Sequence, residues 1–333
     1  MKHFNIPIFV PHVGCPFDCV FCNQRHITGT SGRVDNEETI RIIEEHLSTI
    51  PENSYKEIAF FGGSFTGIEE HLRRQYLEIA YSYIKNGRVQ GIRLSTRPDY
   101  ISREILDELK SYGVTAIELG VQSMNGAVLE ASQRGHTAED VVSAVKLIRE
   151  YDFELGLQMM TGLPEDTDGG AIDTAEKIIA LKPDCVRIYP TLVIADTRLA
   201  DMFYEGTYKP QELDEAVSLS AKLLKMFRKA DITVIRIALM TTDEISPSGK
   251  LIAGPFHSAF GERVESAVFL EEFEKELSKR GKRSAVILVN PHDLSKAIGN
   301  RKENIIKLGE RLGISVKIKP SADIENGGFK IEE

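Results

Sequence analysis

The chain has 333 residues, 42% of them apolar, with 41 Lys and Arg against 50 Asp and Glu and a formal net charge of −9. That length suits one large domain and a smaller one, the acidic balance argues against a surface that coats nucleic acid broadly, and no stretch approaches the roughly 18–20 uncharged apolar residues of a membrane span. Four cysteines are too few for a disulfide-stapled secreted fold and residues 1–10 do not read as a signal peptide, so a reducing, cytoplasmic setting with no membrane contact is expected.

The first strand-like run, FNIPIFV (4–10), leads into GCPFDCVFCNQRHITG (14–29), which holds Cys15, Cys19 and Cys22. A helical pattern at 36–49 is followed by EIAFF (57–61) and then GGSFTG, a helix at 69–85, GIRLST (91–96) and then STRPD. Next come a helix at 102–111, TAIELGV (115–121) with QSMN after it, and a helix at 137–150 that HTAED opens. There Thr137 is placed as an N-cap three positions before Asp140, close to a capping box. ELGLQMM (154–160) runs into TGLPEDT, a helix spans 168–180, CVRIYPT (185–191) ends in YPTLVI, and a last helix covers 211–229. Six β-then-α units with apolar strands predict an α/β fold, a parallel sheet with helices outside. Six is fewer than the eight of a full barrel and fits either a partial (β/α)6 barrel or a doubly wound sheet. In both, chemistry gathers at the C-terminal strand ends, and the polar motifs fall there.

From about residue 247 the pattern changes to a Gly/Pro/Ser-rich stretch, then a helix (264–280), a strand (284–290), a short helix, a longer one (302–312) and a strand (315–319). This divides the chain into residues 1–246 and a small α+β module, 247–333.

Soft thiolates select zinc or iron–sulfur clusters. A structural zinc site wants four closed ligands, and His26 would supply the fourth. An electron-transfer cluster also wants four, and Cys185 is the remaining thiol. A four-iron cluster on three cysteines would keep one iron open to an outside ligand. Cys185, at the start of a strand, reads as a small buried hydrophobe.

The cysteine loop resembles that of the radical S-adenosylmethionine (SAM) enzymes. In these, three cysteines hold a [4Fe–4S] cluster, the amino and carboxylate groups of SAM chelate the open iron, and an electron from the cluster cleaves the sulfonium to give a 5′-deoxyadenosyl radical. FFGGSFTG (60–67) is similar to the glycine-rich motif of that superfamily, which implies that Gly62, Gly63 and Ser64 meet the SAM amino group. Ser64 stands where an acidic residue is common.

LSTRPDYI (94–101), IELGVQSMN (117–125), RGHT (134–137), MTGLPEDT (160–167) and VRIYPTLVIADTRLADMFYEGTYKP (186–210) resemble the Elongator catalytic subunit, a tRNA-modifying radical SAM enzyme, across about residues 5–235. The middle motifs are also similar to oxygen-independent coproporphyrinogen oxidase. The resemblance implies Ser95 and Thr96 near the SAM methionine or ribose, Gln122 and Arg134 at the ribose and carboxylate, Gln158 at the ribose and Tyr189 toward the substrate. An Arg fork binds two carboxylate oxygens at once, and a Gln amide both donates and accepts, as hydroxyls require. His136 reads as structural. A flavodoxin- or ferredoxin-like electron donor is implied as a partner.

Residues 247–333 show no acetyl-CoA phosphate loop of the kind expected of the acetyltransferase domain in the Elongator enzyme. Instead HDLSKAIGNRKENIIKLGERLGISVKIK (292–319) resembles a KH RNA-binding module, in which a GxxG loop clamps a nucleotide backbone. Gly299 fits the first glycine, Lys302 occupies the second, and Arg301 lies between. Residues 279–319 carry 11 basic and 3 acidic side chains, a local +8 suited to RNA phosphates. A small αβ cap is the plainer alternative.

The expectation is a cytoplasmic radical SAM enzyme that cleaves SAM reductively in RNA or tRNA modification and meets RNA through 279–319. A radical SAM enzyme acting on a small metabolite and a non-enzymatic, zinc-containing RNA-binding protein stand as alternatives.

Overall fold

The structure is a computed structural model that describes residues 2–10, 15, 18–22, 35–239, 245–246, 248–280 and 283–332. His26, the fourth ligand a zinc site would need, lies outside the described residues.

In chain order the elements are β1 (Lys2–Val10), α1 (Asn36–Thr49), β2 (Ser54–Gly62), α2 (Glu70–Lys85), β3 (Gly91–Thr96), α3 (Arg103–Ser111) and β4 (Val114–Gln122). Then come α4 (Gly126–Ala131), α5 (Ala138–Ile148), β5 (Glu154–Thr161), α6 (Asp168–Ala180), β6 (Cys185–Pro190), β7 (Val193–Ile194) and α7 (Arg198–Tyr204). The chain continues with α8 (Leu213–Lys229), β8 (Thr233–Ile237), β9 (Leu251–Ala253), α9 (Phe260–Leu277), β10 (Ser284–Val289), α10 (Leu294–Ile298), α11 (Glu303–Leu312), β11 (Ser315–Pro320) and β12 (Phe329–Glu332).

These form two compact units, residues 1–211 with 227–254, and residues 212–226 with 255–333. A cut at 246/247 differs in two ways. It separates β9 from its partner β7, with which it pairs antiparallel, and it leaves most of α8, residues 213–226, with the larger unit. The helical pattern at 211–229 carries no mark of which unit each turn joins.

The larger unit holds a seven-stranded sheet in the order β1-β2-β3-β4-β5-β6-β8, every pair parallel. Each strand lies beside the next in sequence along this order. Right-handed crossovers then put all connecting helices on one face, which makes the sheet a curled partial barrel and sets aside the doubly wound alternative. The seventh strand, β8, goes beyond the six expected. It is a half-exposed edge strand without the apolar run that marks the others.

One face of the sheet carries Ile8, Ile58, Leu94, Leu119, Leu157 and Ile188, all fully buried. Period-2 alternation turns the intervening residues to the opposite, helix-free face. The helices are fixed by local signals: Asp35 caps α1 by accepting from the Glu38 N–H, and Thr137 and Asp140 form the capping box of α5. No helix among the described residues is long and apolar enough to cross a membrane.

In the smaller unit β10 pairs parallel with β11 and antiparallel with β12. Phe269, Phe273, Ile287, Val289 and Leu308 form its core. The turn between α10 and α11 bends through left-handed backbone at Arg301 (φ 49°) and Lys302 (φ 67°) after Gly299 (φ 77°). Lys302 thus holds the conformation that a glycine takes most readily.

Candidate functional site

The helix-free face carries a ladder of charge. Arg93 on β3 binds Glu57 on β2 (3.0 Å), Glu118 on β4 (3.4 Å) and Glu154 on β5 (2.9 Å). Arg187 on β6 grips Glu118 with two nitrogens, Nε at 2.5 Å and Nη2 at 2.9 Å. Burial of Glu118 acts to raise its pKa, but the Arg187 hydrogen bonds and charge outweigh it and hold the carboxyl below the usual range. Such a ladder satisfies the interior below the strand ends and fixes the floor of the site.

Gln158 and Tyr189 belong to this ladder. Gln158 Nε2 donates to Glu118 Oε2 at 3.1 Å, so part of its amide is engaged by the protein itself. Tyr189 receives Arg187 Nη1 at 3.4 Å, and burial raises its pKa against the opposing Arg187 charge. Cys185 Sγ donates to Glu154 Oε1 at 3.6 Å. Burial, then Glu118 and Glu154, push its thiol up to about 12, so it is protonated at neutral pH.

Above the ladder lie the strand ends. Gly62 closes β2 with φ 101°, and a Cβ there would stand 3.1 Å from the Val10 carbonyl. Gly63 N–H donates to that carbonyl at 3.3 Å. The hydroxyls of Ser64 and Thr66 meet Thr96 Oγ1 at 2.8 and 2.6 Å, which ties the glycine loop to the end of β3. Thr96 thus serves the scaffold, and its neighbour Ser95 has a buried Oγ with no partner.

Gln122 closes β4 with φ 65°, and Arg134 reaches in from the segment after α4. Arg134 Nη2 donates to the Gly120 carbonyl at 2.8 Å, and Nη1 lies 3.4 Å from Cys19 Sγ. Gly120 makes this approach feasible: a Cβ there would stand 2.8 Å from Arg134 Nη2 and 3.0 Å from Gln122 Nε2. Gln122 Oε1 and Arg134 Nε are buried without a hydrogen-bond partner. His136 follows, with Nε2 3.2 Å from the Val121 carbonyl; burial, then the Arg134 charge, lower its pKa to about 4 and keep it neutral.

The cysteine loop sits beside these groups. Cys22 N–H donates to the Cys19 carbonyl at 2.9 Å, Cys19 is buried, and Arg97 Nη1 lies 3.9 Å from Cys15 Sγ. Among the described residues no three His, Cys, Asp or Glu side chains converge as a group that could hold a single metal ion.

A model of the radical SAM superfamily matches residues 9–178, and a model of the radical SAM C-terminal domain matches 183–269. The chain belongs to the radical SAM superfamily. It is homologous to the radical SAM region of Elongator complex protein 3. An uncharacterized protein from Methanocaldococcus jannaschii is 27% identical over 238 residues, 67% of this chain and 72% of that protein. The tRNA uridine(34) acetyltransferase of the same organism is 34% identical over 139 residues, 40% of this chain. That match spans only 25% of the acetyltransferase. Among solved structures, archaeal Methanocaldococcus infernus Elp3 shares the fold, with a TM-score of 0.65 and 21% identity, covering 83% of this chain and 63% of that one. Family membership makes the chain a radical SAM enzyme and sets aside the non-enzymatic zinc protein.

The superfamily implies SAM and a four-iron cluster, and the residues present fit both. Three soft thiols on one loop, two of them facing guanidinium groups, are a donor set for iron and sulfide. Ser95 Oγ, Gln122 Oε1 and Arg134 Nε are polar atoms buried without a protein partner. Each such atom costs ~1–3 kcal/mol, which a polar ligand at these strand ends would recover. Arg97, Glu118 and Arg187 lie inside LSTRPDYI, IELGVQSMN and VRIYPT, where no local spacing marks them as site residues.

Proposed function

We propose that this radical SAM enzyme holds a [4Fe–4S] cluster through Cys15, Cys19 and Cys22, binds SAM against the ends of β3 and β4, and acts in RNA modification, with a tRNA as the concrete substrate class. The observation that carries the reading is the set of orphaned atoms, Ser95 Oγ, Gln122 Oε1 and Arg134 Nε, next to a thiol loop. When bound, the cluster and SAM together supply a 5′-deoxyadenosyl radical by one-electron cleavage of the sulfonium.

The chain's own residues bind and orient. Arg134 offers Nε–H to the SAM carboxylate while Nη2 is pinned on Gly120, which fixes the fork. Gln122 Oε1 accepts from a ribose hydroxyl, and Ser95 Oγ donates or accepts beside it. Gly62, at φ 101°, lets backbone approach the amino group. Arg187, locked on Glu118, orients Tyr189 toward a substrate over the ladder. A flavodoxin- or ferredoxin-like protein supplies the electron.

RNA enters the reading from two sides. A relative is named a tRNA uridine(34) acetyltransferase, and residues 279–319 carry their +8 on the smaller unit. Within that stretch Lys296 and Lys307 are paired with Asp293 and Glu303. Arg301 and Lys302, on the exposed turn, have no ion pair among the described residues, and they are the cations offered to phosphates.

The test is nucleoside analysis of total RNA from a deletion strain, with that RNA then added to reduced, cluster-loaded protein. A missing modified nucleoside, and faster 5′-deoxyadenosine release with deletion-strain RNA than with wild-type RNA, are expected. Identical nucleosides and no response to either RNA would turn the reading to a small-metabolite substrate.

A further inference from the structure

Arg97 follows β3 in STRPD, and its side chain is 3% exposed. Asp99 holds two of its nitrogens, Nε on Oδ1 and Nη2 on Oδ2, both at 2.9 Å. Ser64 Oγ accepts its backbone N–H at 3.3 Å, so backbone and side chain are both pinned. The clamp occupies one edge of the guanidinium and leaves Nη1 3.9 Å from Cys15 Sγ, 82 residues away in sequence. Burial opposes the charge on Arg97, but the bonds to Asp99 outweigh it, so the group stays protonated. A lysine could not be gripped on two nitrogens while extending a third.

We propose that Arg97, aimed by Asp99, is a positioning residue that donates to Cys15 Sγ and raises the reduction potential of the cluster. The inference rests on the reading that Cys15, Cys19 and Cys22 hold that cluster. Reduction by one electron adds one negative charge. A buried cation and an N–H directed at a ligating sulfur stabilise the reduced form more than the oxidised one, and cluster potentials respond to both. Arg134 stands near Cys19, but Gly120 holds its Nη2 and the proposed function assigns its Nε to SAM; Asp99 holds Arg97 with Nη1 beside Cys15.

The experiment compares wild type, Arg97→Gln, Arg97→Lys and Asp99→Asn, each reconstituted anaerobically with iron and sulfide. Iron and sulfide are counted, and the midpoint potential is read by a dithionite titration followed by electron paramagnetic resonance, without SAM. Arg97→Gln should move the midpoint negative, with at least a tenfold lower ratio of reduced to oxidised cluster at a fixed potential, about 59 mV for one electron. Arg97→Lys should fall between it and wild type. Asp99→Asn removes a negative charge and also loosens the grip on Arg97, so its midpoint shift should be less positive than the shift the same change gives in an Arg97→Gln background. Equal midpoints in wild type and a fully loaded Arg97→Gln would overturn the proposal. If Arg97→Gln takes up no cluster, Arg97→Lys decides, and a wild-type midpoint there overturns it. Wild type without iron and sulfide would overturn the cluster assignment itself.

Discussion

Arg134 donates from Nη2 to the carbonyl of Gly120 at 2.8 Å, and the missing side chain of Gly120 is what admits it. A methyl group at 120 would press on both Arg134 and Gln122. Gly120→Ala should therefore turn the fork away from its acceptor with little effect on cluster content. Loss of one charge-assisted hydrogen bond is worth ~1.5–3 kcal/mol, or roughly tenfold to a hundredfold in SAM affinity. Equilibrium dialysis of SAM against cluster-loaded protein would measure it, and wild-type affinity would show that Arg134 does not meet the ligand.

Cys185 is a protonated thiol against Glu154, with its pKa pushed up to about 12. Cys185→Ala should leave iron content and the cluster spectrum unchanged, and the wild-type thiol should react slowly with alkylating reagents near neutrality. A variant that loses its cluster would make Cys185 a ligand after all.

His136 provides a pH test. Its ordinary value of 6.5 falls to about 4 in the folded chain, since burial and then Arg134 disfavour the charged ring. The unfolded state therefore binds its proton first on acidification. The stability that neutral His136 contributes is complete above about pH 6.5 and is lost as pH falls toward about 4. Denaturant midpoints of wild type and His136→Asn should converge across that window. A gap that is constant from pH 7 to pH 4 would mean that the ring does not titrate with unfolding.

Much of this was legible in the sequence. Strand ends, cysteine spacing and the glycine loop are local patterns, so the parallel α/β sheet and its motif positions follow from periodicity and punctuation, while the choice of a partial barrel over a doubly wound sheet needs the strand order. Thr137 and Asp140 sit three apart on one turn and needed nothing else. The missed parts depend on the third dimension. Arg97 and Cys15 are 82 positions apart, and Arg187 and Glu118 are 69 apart. Nothing in STRPD or VRIYP says which partner an arginine finds. Strand β8 escaped because it lies at a sheet edge, where half its residues stay partly exposed.

Lys302 lies in left-handed backbone with φ 67° and ψ 26°, which costs a non-glycine residue ~1 kcal/mol. Lys302→Gly relieves that strain but raises unfolded-state entropy by ~0.4–1 kcal/mol, so it should leave the denaturant midpoint unchanged or slightly raised, where a glycine in ordinary helical backbone would lower it. Lys302→Asn, which tolerates left-handed backbone and leaves the GxxG pattern incomplete, should weaken RNA binding similarly for all sequences, because phosphate contacts position without reading bases. Anisotropy titrations at two salt concentrations should show a flatter salt slope. Full RNA affinity in Lys302→Asn would show that the Lys302 charge does not contact phosphate.

The most direct measurement is 5′-deoxyadenosine released from SAM by anaerobically reconstituted, dithionite-reduced protein, beside a Cys15→Ala, Cys19→Ala, Cys22→Ala variant. Wild type should release 5′-deoxyadenosine and methionine in equal amounts, slowly without substrate, and the triple variant should release none. A wild-type protein that holds reducible iron and sulfide, binds SAM and still yields no 5′-deoxyadenosine would contradict the proposed chemistry.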